Sequence, residues 1–448
     1  MERFEQYKDS GVDWIGVIPE HWDVKPVKYL LKSGKEGIKI GPFGSSLKAE
    51  HLSLSGYKVY GQENVINNNF DLGWRYISIE KYEELSVYEI NPIDVLVTMM
   101  GTTGKCQVVP PNIEKGIMDS HLIRLRVDDS QIQPFFLAKL INESNYVFNQ
   151  IKMLSKGSIM EGLNSSIIKS ILIIVPQPEE QIVIANFLSQ KTALIDQLID
   201  NKHKLVELLK EERTAIINQA VTKGINPNTK LKPSGVEWLG DIPEQWDVKK
   251  LKYVVSKVGS GITPLGGASV YQQEGVPLLR SQNIYPEGLV LDEIAYISEE
   301  TDEQMSNSRI CDGDILLNIT GASIGRCFYV PEGFGRGNVN QHVCIIRPVL
   351  SAIKTKYLHY FIVSDYGQTL IDYCQNGANR EGLNFQQIKA FDIPLPNLEE
   401  QEKVITYIEI RTQKIYSAVS KIEKEIELLR EYRRALVSEV VTGRVKVV

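Results

Sequence analysis

Residues 408–429 read Ile408-Glu-Ile-Arg-Thr-Gln-Lys-Ile-Tyr-Ser-Ala-Val-Ser-Lys-Ile-Glu-Lys-Glu-Ile-Glu-Leu-Leu429. Steps of seven from Ile408 give Ile415, Ile422, Leu429 and Leu436, and steps of seven from Thr412 give Val419, Ile426, Arg433 and Val440. Two largely apolar rows four residues apart, with charged residues between them, form the a/d seam of a coiled coil. Subtracting 220 from every number gives Leu188, Ile195, Lys202, Leu209, Ile216 and Thr192, Ile199, Val206, Arg213, Ala220. The seam is duplicated down to its threonine and its arginine, and its clear break is Lys202 at the position of Ile422. Each helix would run for about 45 residues and about 65 Å, too long for an ordinary core helix. One such helical hairpin could merely dimerise the chain. The duplication points instead to two helices that pair within the chain and hold two like domains apart.

Outward from the helices the duplication continues. Ser10-Gly-Val-Asp-Trp-Ile-Gly-Val-Ile-Pro-Glu-His-Trp-Asp-Val-Lys-Pro-Val-Lys-Tyr-Leu30 returns as Ser234-Gly-Val-Glu-Trp-Leu-Gly-Asp-Ile-Pro-Glu-Gln-Trp-Asp-Val-Lys-Lys-Leu-Lys-Tyr-Val254, identical at 14 of 21 positions. This lead segment holds four of the five tryptophans (Trp14, Trp22, Trp238, Trp246) and reads as irregular chain pinned to its domain by buried indoles. About 150 strand-rich residues follow each copy, with short runs such as Asp94-Val-Leu-Val-Thr98 and Asp314-Ile-Leu-Leu-Asn-Ile319 between Gly, Asn and Pro turns. These regions align only at islands. Gln62-Glu-Asn-Val65 matches Ser281-Gln-Asn-Ile284, Gly101-Thr-Thr-Gly-Lys-Cys106 matches Gly321-Ala-Ser-Ile-Gly-Arg-Cys327, and Asp119-Ser-His121 matches Asn340-Gln-His342. Glu161-Gly-Leu-Asn164 likewise matches Glu381-Gly-Leu-Asn384. A shared scaffold therefore carries a differing surface. Each region ends in a proline-punctuated strand, and Glu-Glu-Gln follows at 179–181 and 399–401, with acids at the positive end of the helix dipole.

The composition is that of an ordinary globular protein of 448 residues, 43% hydrophobic and 24% charged. No apolar run reaches membrane-spanning length, and Met1-Glu2-Arg3-Phe4-Glu5 lacks the regions of a signal peptide, so a cytoplasmic protein is expected. Cys106, Cys311, Cys327, Cys344 and Cys374 show no Cys-x-x-Cys spacing and read as reduced core residues. The net charge of −6 is spread evenly, with 19 basic against 21 acidic residues over 1–178 and 15 against 19 over 225–398. No segment is a basic clamp, so any DNA binding calls for partners that supply phosphate contacts.

Catalytic signatures are missing. Gly101-Thr-Thr-Gly-Lys-Cys106 lacks the spacing of a phosphate loop and carries cysteine where Ser or Thr should follow the lysine. What remains is a polar inventory suited to base edges and phosphates: Arg for guanine, Asn and Gln for adenine, Ser and Thr for phosphate oxygens. In the first domain these are Lys39, Ser45, Ser46 and Lys48 around the turn Gly41-Pro-Phe-Gly44, with Gln62, Asn64, Thr102, Thr103, Lys105 and His121. In the second they are Thr263, Arg280, Gln282, Asn283, Ser323, Arg326, Asn340, Gln341, His342, Asn379 and Arg380. His121 and His342, each ahead of a β-branched run, read more readily as satisfied core histidines, and any single member of the set can be a turn that bonds its own backbone.

The doubled Ser-Gly-Val-x-Trp-x-Gly-x-Ile-Pro-x-x-Trp motif, Gly41-Pro-Phe-Gly-Ser-Ser46, the Pro-x-x-Glu-Glu-Gln helix starts and the Val-Thr helix ends together resemble the specificity subunits of type I restriction-modification systems. The resemblance covers nearly the whole chain. It implies an α+β (mixed α/β) chain: two similar target recognition domains separated by two long antiparallel coiled-coil helices, in an internal pseudo-twofold duplication. The boundaries expected are 1–178 and 225–398 for the domains, the latter after a linker at 225–233, and 179–224 and 399–448 for the helices. Each domain would read one half of a bipartite double-stranded DNA sequence, and the helices would fix the spacer. The chain itself would be non-catalytic and bind no cofactor. Two modification subunits would bring S-adenosylmethionine and flip the target adenine, and restriction subunits would bring ATP, Mg and cleavage. The base-reading set is ranked by chemistry alone, and a coiled-coil adaptor that binds proteins through its duplicated domains is the other class of reading.

Overall fold

The computed structural model describes residues 2–43, 45–155, 163–375 and 382–447. The chain divides into two compact units, Met1–Lys202 with Lys424–Val448, and His203–Glu423. Two long helices, α1 (Pro178–Thr222) and α2 (Leu398–Val441), each contribute one part to either unit.

The two larger sheets of the first unit use β1 (Ile38–Ile40), β2 (Tyr57–Tyr60), β3 (Tyr76–Ile77), β4 (Val95–Thr98), β5 (Cys106–Val108), β6 (Gly116–Met118) and β7 (Leu122–Leu125). They form an antiparallel sheet in the order β1-β7-β4-β5 and a second sheet, β3-β2-β6, in which β2 and β6 run parallel. The second unit repeats the plan with β8 (Val255–Ser260), β9 (Val276–Leu279), β10 (Ala295–Ile297), β11 (Ile315–Asn318), β12 (Cys327–Tyr329), β13 (Asn338–Val339) and β14 (Val343–Pro348). Its sheets are β8-β14-β11-β12 and β10-β9-β13, again with one parallel pair. Even the register repeats: Leu122 to Leu125 pair with Thr98 to Val95, and Val343 to Ile346 pair with Asn318 to Ile315. β4 and β11 are buried at every residue, as runs of Val, Ile and Leu flanked by strands on both sides should be. The aspartate ahead of each, Asp94 or Asp314, accepts the backbone N–H of Asn91 or Cys311 (2.7 Å in both) and pairs with Arg126 (2.9 Å) or Arg347 (2.7 Å).

The lead segments pack as their sequence suggests, with one difference. Trp22 and Trp246 are fully buried, whereas Trp14 is half exposed beside Tyr146 and Trp238 half-buried beside Tyr366, so only one indole of each pair is an anchor. Asp23–Pro26 pairs with Leu172–Val175, and Asp247–Lys250 with Asp392–Leu395, joining the start of each domain to the strand that precedes its helix. The last residue of the motif then closes the joint. Gln181 is wholly buried; its carbonyl accepts the Gln133 N–H (2.8 Å) and its amide donates to the carbonyls of Gln131 and Pro176 (2.8 Å each). Gln401 does the same with Lys354 (2.7 Å), Ala352 (3.2 Å) and Pro396 (2.9 Å).

All twenty seam positions are buried or half-buried. In the first unit Asp196 on α1 accepts from Arg433 on α2 (2.9 Å), and six residues further along α1 Lys202 pairs with Glu425, eight residues back along α2, so the segments run antiparallel. The break at Lys202 is thus an ion pair at the rim of the seam. Arg433 also reaches Glu143 (3.4 Å). Its duplicate Arg213, in the second unit, packs on the Tyr416 ring (5.0 Å) and pairs with Glu287 (3.2 Å). Both helices stop at a glycine in the left-handed region, Gly224 (φ 74°) and Gly443 (φ 72°). A side chain at Gly443 would also press on Pro19 (2.4 Å from a Cβ) and Trp22 (2.9 Å), whereas one at Gly224 would meet Trp246 at ordinary contact distance (3.5 Å).

Candidate nucleic-acid interface

Each unit gathers loops from distant parts of the chain at one end of its two sheets. In the first, the Gly41 N–H donates to the Leu122 carbonyl (2.9 Å), Asp119 N–H to Tyr60 (2.8 Å), Met99 N–H to His121 (2.9 Å) and Leu163 N–H to Met99 (2.9 Å). The Gln62 side chain accepts the Met100 N–H (3.3 Å). The second unit ties the same places together: Gly261 to Val343 (3.4 Å), Asn340 to Leu279 (3.2 Å), Ile319 to His342 (3.0 Å) and Leu383 to Ile319 (2.9 Å). The approach at the first loop is so close that a Cβ on Gly41 would lie 1.8 Å from the Asp119 carbonyl, and one on Gly261 1.7 Å from that of Val339. Only glycine fits there. The result in each unit is a rim of five loop segments, lined by Lys, Gln, Thr, Ser and His in the first and by Arg, Gln, Thr, Ser and His in the second.

The type I restriction modification DNA specificity domain, as a family model, matches the chain twice, over residues 34–208 and 243–429. The chain belongs to this family. Similar chains include the type I restriction enzyme EcoBI specificity subunit of Escherichia coli, 25% identical over 76% of this chain and 70% of that one. The MjaVIII specificity subunit of Methanocaldococcus jannaschii is 22% identical over 96% and 94%. Among solved structures, a chain of a type I R-M system superposes with a TM-score of 0.74 at 14% identity, covering 96% of this chain and 99% of that one. The HsdS subunit from Thermoanaerobacter tengcongensis gives 0.55 at 14% identity, over 96% and 98%. The family match makes this chain a DNA-recognition subunit of α+β architecture, whose two specificity domains are joined by α1.

Within the specificity domains the candidate side chains separate into two groups. Exposed or half-exposed on the rim are Ser45, Ser46, Lys48, Gln62, Thr102, Thr103, Lys105 and His121 in the first, and Thr263, Arg280, Gln282, Ser323, Arg326, Gln341 and His342 in the second. Lys39 lies half-buried on β1, two residues before Gly41. Three asparagines are held inside instead. Asn64 accepts the Gly61 N–H (2.9 Å) and donates to the carbonyls of Asn69 (3.2 Å) and Leu72 (2.9 Å), and Asn283 accepts from Arg280 N–H (3.0 Å) and donates to Val290 (2.9 Å). Asn340 is buried and accepts the His342 N–H (3.2 Å). With their amides committed to backbone groups, Asn64 and Asn283 shape the rim from within and do not face its solvent side. Asn379 and Arg380 lie outside the described residues.

The histidines also depart from expectation. His121 has 48% of its side chain exposed, and His342 is half-buried with Nδ1 bonded to the Thr320 hydroxyl and Nε2 2.8 Å from Gln341, so neither is a core residue. The Gly101–Cys106 turn closes on itself: Thr98 Oγ1 donates to the Thr102 carbonyl and accepts the Lys105 N–H (3.0 Å). Sequence reasoning missed Arg75, which stands behind the first rim between Glu63 (2.6 Å) and Asp119 (3.1 Å) and pairs with both. It also missed the hairpin Ile284–Tyr285 and Gly288–Leu289, where the Arg326 guanidinium lies 4.9 Å over the Tyr285 ring and Glu287 reaches Arg213. Neither has a counterpart at the same offset, so the repeat carried no signal for them. Buried Cys327 lies 3.7 Å from His359 Nδ1; burial pushes that imidazole down to about 3, leaving it neutral. Among the described residues no helix is long and apolar enough to cross a membrane.

Proposed function

We propose that each rim reads one half of a bipartite DNA sequence and that the lengths of α1 and α2 set the unspecified spacer between the halves. The observation that carries this reading is the recurrence of one loop set, tied at the same strand ends in both units, with different side chains mounted on it. Arg326, Arg280, Gln282, Gln341 and Gln62 have the donor and acceptor groups for base edges in the major groove. Lys48, Lys105, Ser45, Ser46, Thr102, Thr103 and Thr263 suit phosphate oxygens. The chain is non-catalytic in this reading and assembles with other subunits: modification subunits carrying S-adenosylmethionine, and restriction subunits carrying ATP and Mg, none of them bound by this chain. A net charge of −6 accords with phosphate neutralisation shared with such partners.

The test is co-expression with the neighbouring methyltransferase in a host free of adenine methylation, followed by long-read mapping of methyladenine. A bipartite motif that vanishes without this chain, and that changes in one half only when residues 31–170 are exchanged, is the expected result. An active methyltransferase in a soluble complex with no motif would leave the protein-binding adaptor as the better reading.

A further inference from the structure

Both rims carry one feature that no polar inventory explains. The first loop of each domain contains a Pro-apolar-Gly triplet, Pro42-Phe43-Gly44 and Pro264-Leu265-Gly266. In both, the proline is buried while the apolar residue stands out into solvent: Phe43 is 75% exposed and Leu265 89%, the latter the most exposed large hydrophobic side chain among the described residues. The loops are held firmly behind these tips. Gly41 and Gly261 abut the carbonyls of Asp119 and Val339, and the Phe43 carbonyl accepts the Ser46 N–H (2.8 Å). The Gly267 N–H donates to the Pro264 carbonyl (2.8 Å), with Gly266 at φ 99°, as a tight turn of type II requires. An apolar side chain that stands into solvent from the first loop of each domain, two residues past Gly41 in one and four past Gly261 in the other, amid largely polar rim residues, is shaped for a surface that arrives from outside.

We propose that Phe43 and Leu265 are specificity-determining residues that each cover the 5-methyl group of a thymine in the major groove of their half-site. This deepens the DNA-reading function of the rim and rests on it. Of the apolar surfaces that duplex DNA offers, the thymine methyl lies at groove depth beside the base edges that the neighbouring Gln, Arg and Lys side chains suit, and it is reached without unstacking. Insertion between bases would add an unstacking cost of a few kcal/mol. Each half-site accordingly contains an A·T pair at the position beneath this loop.

The experiment uses the complex of the full chain with its methyltransferase partner, and duplexes carrying the motif found by methylation mapping. Every thymine of both half-sites is replaced, one at a time, by deoxyuridine, which lacks only the methyl group. One position in each half-site should lose about fourfold in affinity, the value of one buried methyl. Phe43→Ala should abolish that sensitivity in one half-site and leave the other intact, and Leu265→Ala the reverse, so each variant carries its own control for folding. A half-site without thymine, indifference to deoxyuridine at every position, or a loss that persists in the alanine variants would overturn the assignment. So would 2-aminopurine fluorescence that rises on binding and falls in Phe43→Ala, which would make the tip a base-step wedge. If no bipartite motif exists at all, the DNA-reading function fails first, and the two failures are distinguishable.

Discussion

Replacing Gln181 by leucine should unlock the joint between the first domain and its helix. The glutamine is wholly buried and makes three hydrogen bonds of 2.8 Å, one accepted from Gln133 and two donated to Gln131 and Pro176. Leucine fills nearly the same volume, so the cavity contribution is small, while one N–H and two carbonyls lose their partner. At about 1–2 kcal/mol for each such group, the first unit should lose roughly 3–6 kcal/mol. Gln181→Glu separates hydrogen bonding from packing. The carboxylate still accepts from Gln133 but sets a negative charge against two carbonyl oxygens, so at neutral pH it should be at least as damaging as leucine. Those carbonyls favour the protonated form and raise the carboxyl's folded-state pKa, so the Glu penalty should shrink as the pH falls, unlike that of Leu.

Hydrogen exchange read by mass spectrometry resolves the two units within one chain. Gln181→Leu should speed exchange in residues 23–26, 131–141 and 172–182 and spare the second unit; Gln401→Leu should do the opposite, with a similar cost. A loss under about 1 kcal/mol, or equal acceleration in both units, would refute the view that this residue is a local clamp. The same variant should broaden the spacer lengths accepted in methylation mapping, because the helix no longer leaves its domain at one angle.

Deleting one heptad from both long helices shortens each by about 10 Å, or about three base-pair steps; the spacer should shrink accordingly with half-sites unchanged, and altered half-sites with a constant spacer would sink the ruler. Arg326→Met should relax one position of the second half-site at a cost of about 1–3 kcal/mol, whereas equal weakening on every sequence would mark Arg326 as a phosphate contact. The buried imidazole of His359 titrates near 3 when folded and near 6.5 when unfolded, so below pH 6.5 the unfolded chain takes up a proton that the folded one does not. The second unit should therefore lose about 2 kcal/mol between pH 6.5 and pH 5 in denaturant titrations, an acid sensitivity that His359→Leu removes.

The sequence was most legible where one packing constraint repeats many times. The seam is set by a period that recurs for forty residues, and all its positions are covered. The runs at 94–98 and 314–319 hold the central strands because their flanks leave no polar face. The rim was less legible because Asn, His and Gln serve equally well inside a turn or on a base edge, and only the tertiary position decides. Asn64 is fixed by carbonyls five and eight residues away, yet His121 is exposed because the strand ahead of it ends against Tyr60, sixty residues earlier in the chain. Local pattern does not encode that second kind of placement.

A chain that contains its own duplicate offers a test that a single domain lacks. Residues kept in both copies mostly face inward: Trp22 and Trp246, Asn64 and Asn283, Asp94 and Asp314, Gln181 and Gln401 all serve backbone groups, ion pairs or the core. Positions that differ mostly face out: Thr102 against Ala322 and Lys105 against Arg326. One exception sharpens the rule. Trp22 donates to Glu180 (3.0 Å), whereas the indole N–H of Trp246 has no partner among the described residues although Glu400 stands at the duplicate position. The joint needs the buried ring in both copies, then, while its polar bond is dispensable in one. If that is right, Glu180→Ala, which also removes the contacts to His21 (3.0 Å) and the Gln177 N–H (3.2 Å), should cost the first unit at least as much as one charged hydrogen bond, roughly 1.5–3 kcal/mol. Glu400→Ala should cost the second unit almost nothing. Equal losses would show that the duplicated glutamate acts through the helix terminus in both units, not through the indole.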